Sequence, residues 1–307
     1  MKSYERPLTF NIKSSLEKAG VTNVEKVELS NEYFVWAEAN LEPEVFMALR
    51  ENYESLDVHK YTYLSDGLTI AGFMWVPKNI DRSLPLIVWN RGGTGEYGST
   101  GELIGTAYTT TACDLAKNGA IVVGSEYRGG VGSEGNDECG GADLHDVVVL
   151  KELVDTLPFI ATTQALVAGV SRGGMMSYQL AAKMKWVKGI ISLSGTTDLV
   201  TSAKEDPGMN EVFKKAFGGS IKEMEKRSAV YFYNEIPKDL PILILHGTKD
   251  ERVSIEQVRA LDTRLEESGH SVEYHEFPQG DHGFYNHSPY RKEVELILEC
   301  FVREHTR

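Results

Sequence analysis

Gly169-Val170-Ser171-Arg172-Gly173-Gly174 decides the reading of this chain. The apolar run Ala165-Leu166-Val167-Ala168 leads into it. Met175-Met176-Ser177-Tyr178-Gln179-Leu180-Ala181-Ala182-Lys183, with the composition of a helix, leads out. A strand that turns at once into a helix forces its corner residue into a strained backbone. Glycines two positions before and after Ser171 leave room for the turn, and the serine hydroxyl stands exposed at its tip. The same corner sets the Arg172 amide at a helix N-terminus, where N–H groups lack intrahelical partners and can hold a developing oxyanion. Gly-x-Ser-x-Gly alone is common in glycine-rich loops; the strand before it and the helix after it carry the inference.

A serine is a weak nucleophile until a base takes its proton. Pro278-Gln279-Gly280-Asp281-His282-Gly283-Phe284 follows the strand-like alternation Ser271-Val272-Glu273-Tyr274-His275-Glu276-Phe277. His282 is therefore expected on a loop just past a strand, flanked by glycines that permit close approach. The apolar run Pro241-Ile242-Leu243-Ile244-Leu245-His246-Gly247 reads as a strand buried on both faces, and it ends in Thr248-Lys249-Asp250-Glu251-Arg252-Val253. Taken singly, His282 is a surface histidine, and Asp250 a turn residue or the cap of a helix starting near Ser254. Taken together, a carboxylate at one strand end can hold a histidine at another, fix its tautomer and stabilise the imidazolium.

The chain order Ser171, Asp250, His282 is that of α/β hydrolases. Tyr127-Arg128-Gly129 with Gly140-Gly141-Ala142-Asp143-Leu144-His145-Asp146, the elbow from Gly169 to Met175, His246 to Val253, and Gly280 to Phe284 together resemble the catalytic domain of the prolyl oligopeptidase (S9) family. The resemblance covers roughly residues 60–305, and the separations between the three candidate residues are typical of that family. It implies an α/β-hydrolase fold and serine-hydrolase chemistry. Larger members carry an N-terminal β-propeller, for which 307 residues leave no room.

One segment departs from the family pattern. After Leu86-Ile87-Val88-Trp89-Asn90, where members often carry Tyr or His before two small residues, this chain has Arg91-Gly92-Gly93-Thr94-Gly95. The second oxyanion donor is then a backbone amide at Gly92 or Gly93, since glycine lets the backbone approach a ligand. Arg91 either reaches the substrate or pairs with a neighbouring carboxylate; the sequence leaves both open.

Alternating strand and helix patterns predict a mostly parallel eight-stranded sheet flanked by helices, with strands over 58–63, 69–76, 85–89, 120–125, 165–168, 189–193, 242–245 and 271–277. Asp66-Gly67 predicts a hairpin between the first two. Helices are expected over 43–56, 109–118, 143–156, 175–184, 255–268 and 290–305. Residues 56–307 form the catalytic domain. Residues 1–55 form an accessory segment that buries Val35, Trp36, Phe46, Met47 and Leu49 against the sheet or a second subunit, which leaves a homo-oligomer open. Residues 198–237 read as a cap insertion over the serine. Its Phe213, Phe217, Tyr231 and Tyr233 are candidates to bind substrate, or else simply pack the insertion onto the body.

A formal charge of −13 argues against nucleic acid as partner. No apolar stretch is long enough for a membrane span, and the first residues lack the apolar core of a signal peptide. Cys113, Cys139 and Cys300 are few and scattered, which reads as a reducing, cytoplasmic setting without a disulfide framework; no metal-ligand spacing is present, and no cofactor or metal is expected. The expected activity is hydrolysis of a small ester or short peptide through an acyl-enzyme. The alternative is a non-catalytic binding protein on the same fold. Dienelactone hydrolases are the nearest other class, but their nucleophile is usually Cys, and here it is Ser171.

Overall fold

Runs such as Leu84-Pro85-Leu86-Ile87-Val88-Trp89-Asn90 and Ile121-Val122-Val123-Gly124-Ser125 are apolar at nearly every position, so both faces of their sheet must be covered. The computed structural model describes residues 10–78, 80–100 and 106–306; residues 1–9 of the N-terminal segment lie outside them. Its strands are β1 (Thr22–Lys26), β2 (Leu56–Ser65), β3 (Leu68–Pro77), β4 (Leu84–Asn90), β5 (Ile121–Ser125), β6 (Ile160–Val170), β7 (Val187–Leu193), β8 (Ile242–Gly247) and β9 (Val272–Phe277). They form one sheet in the order β1-β2-β3-β5-β4-β6-β7-β8-β9. The pairs β1/β2, β2/β3 and β3/β5 are antiparallel, and every other pair is parallel.

Strand periodicity divides the core in two. Leu86, Val88, Val167, Ile242 and Ile244 face one apolar cluster, with the helices Asp143–Val154, Arg172–Lys183 and Ile255–Glu267. Ile87, Trp89, Leu166, Leu243 and Leu245 face the other, with Pro43–Ser55, Thr111–Lys117 and Arg291–His305. This is the helix-flanked, mostly parallel sheet expected, with nine strands in place of eight. The extra strand is β1. It contributes a single buried side chain, Val24, and so carries almost no alternation to read.

The segment before β2 packs onto the body. Leu16, Val21 and Val24 enter one core, and Leu29, Phe46 and Leu49 the other. Val35, Trp36 and Met47, expected to be buried, are exposed. The Asp66-Gly67 hairpin forms as predicted, with φ of +50° and +78°, values a two-residue primed turn requires.

The elbow follows β6 directly. Ser171 takes φ 55° and ψ −121°, and the helix starts at Arg172, earlier than the expected 175. The flanking glycines are required by space. A Cβ on Gly173 would lie 1.9 Å from the Asn90 carbonyl oxygen, and one on Gly169 would lie 2.3 Å from the Gly173 carbonyl carbon. Gly173→Ala should therefore destabilise the protein by at least about 3 kcal/mol, the upper range for overpacking against backbone that cannot retreat. Urea unfolding checks this; a loss under about 1 kcal/mol would contradict the packing described.

Candidate active site

Strands β6, β8 and β9 run parallel, so their carboxyl ends emerge on one side of the sheet. Ser171 follows β6, Asp250 lies in the loop after β8, and His282 lies in the loop after β9. The two loops are tied together: Lys249 N donates to the Gly280 carbonyl at 2.8 Å and Gln279 N to Thr248 Oγ1 at 2.9 Å. A Cβ on Gly247 would lie 2.3 Å from the Gly280 oxygen, so glycine is needed there.

That tie brings Asp250 and His282 into contact. His282 Nδ1 lies 2.8 Å from Asp250 Oδ2, and the carboxylate is fully buried. Asp250 Oδ1 accepts the amides of Arg252 and Val253, each at 2.9 Å. His246 Nε2 lies 2.9 Å from the Val253 carbonyl and 3.4 Å from Asp250 Oδ2, two acceptors that fix its proton on Nε2. Burial pushes the His246 imidazole down and keeps it neutral. Burial pushes Asp250 up, but the His282 hydrogen bond and charge, with the Val253 amide, outweigh it, so the carboxyl sits below its ordinary range.

Ser171 and His282 line one cavity of about 840 Å³, and Gly92, Gly93 and Arg172 line it too. A Cβ on Gly92 would lie 3.4 Å from Ser171 Cβ, so the glycine loop abuts the elbow. Arg91 is turned into the protein. Its guanidinium is 3.1 Å from the Glu126 carboxylate and donates to the carbonyls of Gly92, Gly95, Tyr97 and Glu126. Of the two readings open for Arg91, the structure gives the ion pair, and its substrate-binding candidacy is corrected. Glu126 lies on the loop after β5, a partner the local sequence does not signal.

The insertion folds as short helices, Leu199–Glu205, Pro207–Phe217, Ile221–Glu225 and Ala229–Phe232. Among its four candidate aromatics, Phe213 lines the cavity. The other three are corrected: they pack elsewhere or face solvent. Phe217 stacks behind Phe213 at 5.6 Å with Arg227 over its ring, Tyr233 packs near His270 and Arg264, and Tyr231 is exposed. Leu199, Met209, Met175, Cys139 and Val253 add to the apolar wall, with Val170 and Tyr285. Burial pushes the Cys139 thiol up to about 12, so it is no thiolate nucleophile at neutral pH. Among the described residues, no cluster of three or more His, Cys, Asp or Glu is arranged to hold a metal, and no helix is long and apolar enough to cross a membrane.

A helix-flanked sheet with a serine at a strained elbow and a histidine–aspartate pair at neighbouring strand ends defines an α/β hydrolase. Residues 107–306 match the prolyl oligopeptidase family model, and the chain belongs to that family of serine hydrolases. It is 28% identical to the uncharacterized peptidase YtmA of Bacillus subtilis, over 71% of this chain and 84% of that protein. It is 24% identical to dipeptidyl-peptidase 5 of Aspergillus fumigatus, but spans only 33% of that longer protein. The acylaminoacyl peptidase of Pyrococcus horikoshii superposes with a TM-score of 0.69 at 20% identity, over 84% of this chain and 43% of that one. An esterase of Pyrococcus furiosus superposes with a TM-score of 0.64 at 17% identity, over 87% and 96%. These structural likenesses establish the fold.

The lowered Asp250 carboxyl ties stability to pH. Its folded-state value lies below the ordinary value of about 3.9, so its contribution is complete above that pH and is lost as pH falls through the folded value. The gap in melting temperature between wild type and Asp250→Asn should keep its full width from neutrality down to about pH 5 and narrow progressively as pH falls below about 4. A gap constant from pH 7 to pH 2 would contradict the assignment.

Proposed function

We propose that this protein hydrolyses small esters or short peptides by acyl transfer through Ser171. Ser171 Oγ attacks the carbonyl carbon while His282 takes its proton. Asp250 holds His282 and stabilises the imidazolium as it forms. The proton then passes to the leaving group, and water, deprotonated by the same histidine, releases the acyl group. The observation that carries this reading is the 2.8 Å contact between His282 and Asp250, with His282 sharing one cavity with a serine at φ 55°.

The oxyanion of the tetrahedral intermediate is held by the Arg172 amide and a second amide from the glycine loop. The Gly92 carbonyl accepts from Arg91 at 3.0 Å. In a planar trans peptide the next N–H points the opposite way, away from the buried Arg91 guanidinium, which makes Gly93 our choice of donor. Leu199, Met209, Phe213 and Met175 give the cavity an apolar wall, while Lys249, Glu251, Arg252 and Asp281 bring both signs of charge to it. The wall suits an aliphatic or aromatic acyl group. The mixed charges suit the polar backbone and termini of a short peptide as well as an ester.

Ser171→Ala should lower turnover of p-nitrophenyl esters and short peptide anilides by on the order of 10⁴-fold, and abolish fluorophosphonate labelling. Circular dichroism should be unchanged. Near-normal turnover or labelling by the folded variant would overturn the nucleophile assignment.

A further inference from the structure

Residues 92–98 read Gly92-Gly93-Thr94-Gly95-Glu96-Tyr97-Gly98, four glycines in seven positions. Such a segment loses more conformational freedom on ordering than any other composition and has few side chains to anchor it. A donor aimed at a developing charge must nevertheless be fixed before the reaction begins. The order of this loop therefore has to come from outside it.

Two buried arginines supply it. Arg91, 2% exposed, donates to the Gly92 carbonyl at 3.0 Å, Gly95 at 2.8 Å and Tyr97 at 3.3 Å. Arg172, 5% exposed, donates to the Gly93 carbonyl at 3.0 Å. The Arg172 guanidinium also meets Asp137 at 2.5 Å and pairs with Asp143. Asp137 then reaches back and accepts the Gly95 amide at 2.6 Å. Both guanidinium carbons lie over the buried Tyr127 ring, at 5.0 Å for Arg91 and 4.8 Å for Arg172. The Tyr127 hydroxyl donates to the Arg91 carbonyl at 3.3 Å. Each arginine has its own counter-charge, Glu126 for one and Asp137 with Asp143 for the other, so these buried cations are paired.

We infer that Arg91 and Arg172 are positioning residues of the hydrolytic site: Arg91 draws the Gly92 carbonyl inward and so turns the Gly93 amide outward, and the two guanidinium groups together fix the loop that carries it by holding the carbonyls of residues 93, 95 and 97. The inference rests on the acyl-transfer reading above. Arg172 holds both halves of the oxyanion site. Its own amide is one donor, and its side chain fixes the loop that carries the other. A planar fork that reaches several carbonyls at once is needed here, and a lysine ammonium, a point charge, does not replace it.

The test is Arg91→Lys and Arg172→Lys, assayed beside Ser171→Ala. Arg91→Lys keeps a cation opposite Glu126 and loses the reach to three loop carbonyls; it serves as the reading if the Arg172 variant does not fold. Each folded lysine variant should lose on the order of 10²-fold in kcat, the effect of one oxyanion donor, with KM within about threefold. Affinity for a boronic acid that mimics the tetrahedral state should fall in parallel with kcat/KM. Amide exchange at residues 93–98 should accelerate. Fluorophosphonate should still reach one label per chain, more slowly. Three results would overturn the inference: full kcat in the folded variants, a loss confined to KM, or a loss that matches a fall in label per chain. If Ser171→Ala remained active, the acyl-transfer reading itself would fail, and the two failures are thereby distinguished.

Discussion

The site depends on one strained residue. Ser171 holds a backbone conformation that L-residues rarely adopt, at a cost of about 1–3 kcal/mol, and it persists only where the surroundings over-determine it. Here they do. The Ser171 amide donates to the Leu193 carbonyl at 3.0 Å, and its carbonyl accepts from Gly174, Met175 and Thr196. Gly169 and Gly173 let β6, the helix and the Asn90 backbone approach more closely than any Cβ permits. The strain is thus held by the sheet, at a residue that lines the cavity.

Charge is arranged around that corner in two buried groups. One lies behind His282, where Asp250 is gripped by two backbone amides and flanked by a neutral His246. With the His282 hydrogen bond, this holds the Asp250 carboxyl below its ordinary range although burial pushes it up. The other lies under the glycine loop, where Arg91, Arg172, Glu126, Asp137 and Asp143 surround Tyr127. The first holds the His282 ring, and the second holds the carbonyls of the glycine loop. Neither places a free charge in the cavity, whose wall is mainly apolar on the side of the insertion.

Much of this was legible in the sequence because it is local. Parallel strands buried on both faces read as unbroken apolar runs, and the elbow and its glycines are contiguous. His282 and Asp250 each sit one loop beyond such a run, so their shared side of the sheet followed from strand direction. Pairings without a motif at either end were not legible. Arg91 meets Glu126 only because β4 and β5 are neighbours in the sheet. The edge strand β1 escaped because an edge needs little apolar alternation. In the insertion, composition announced aromatics but not the facing of short helices, so Phe213 reached the cavity while Phe217, Tyr231 and Tyr233 did not. Val35, Trp36 and Met47 look like core residues by type, yet their helices turn them to solvent.

The most direct measurement is a crystal structure of the protein with a trifluoromethyl ketone, which mimics the tetrahedral state. The account predicts a covalent bond from Ser171 Oγ to the ketone carbon. The resulting oxyanion should lie within about 3 Å of the amides of Arg172 and Gly93, with His282 beside the leaving-group position. An adduct on any other residue, or an oxyanion turned to solvent away from both amides, would contradict it.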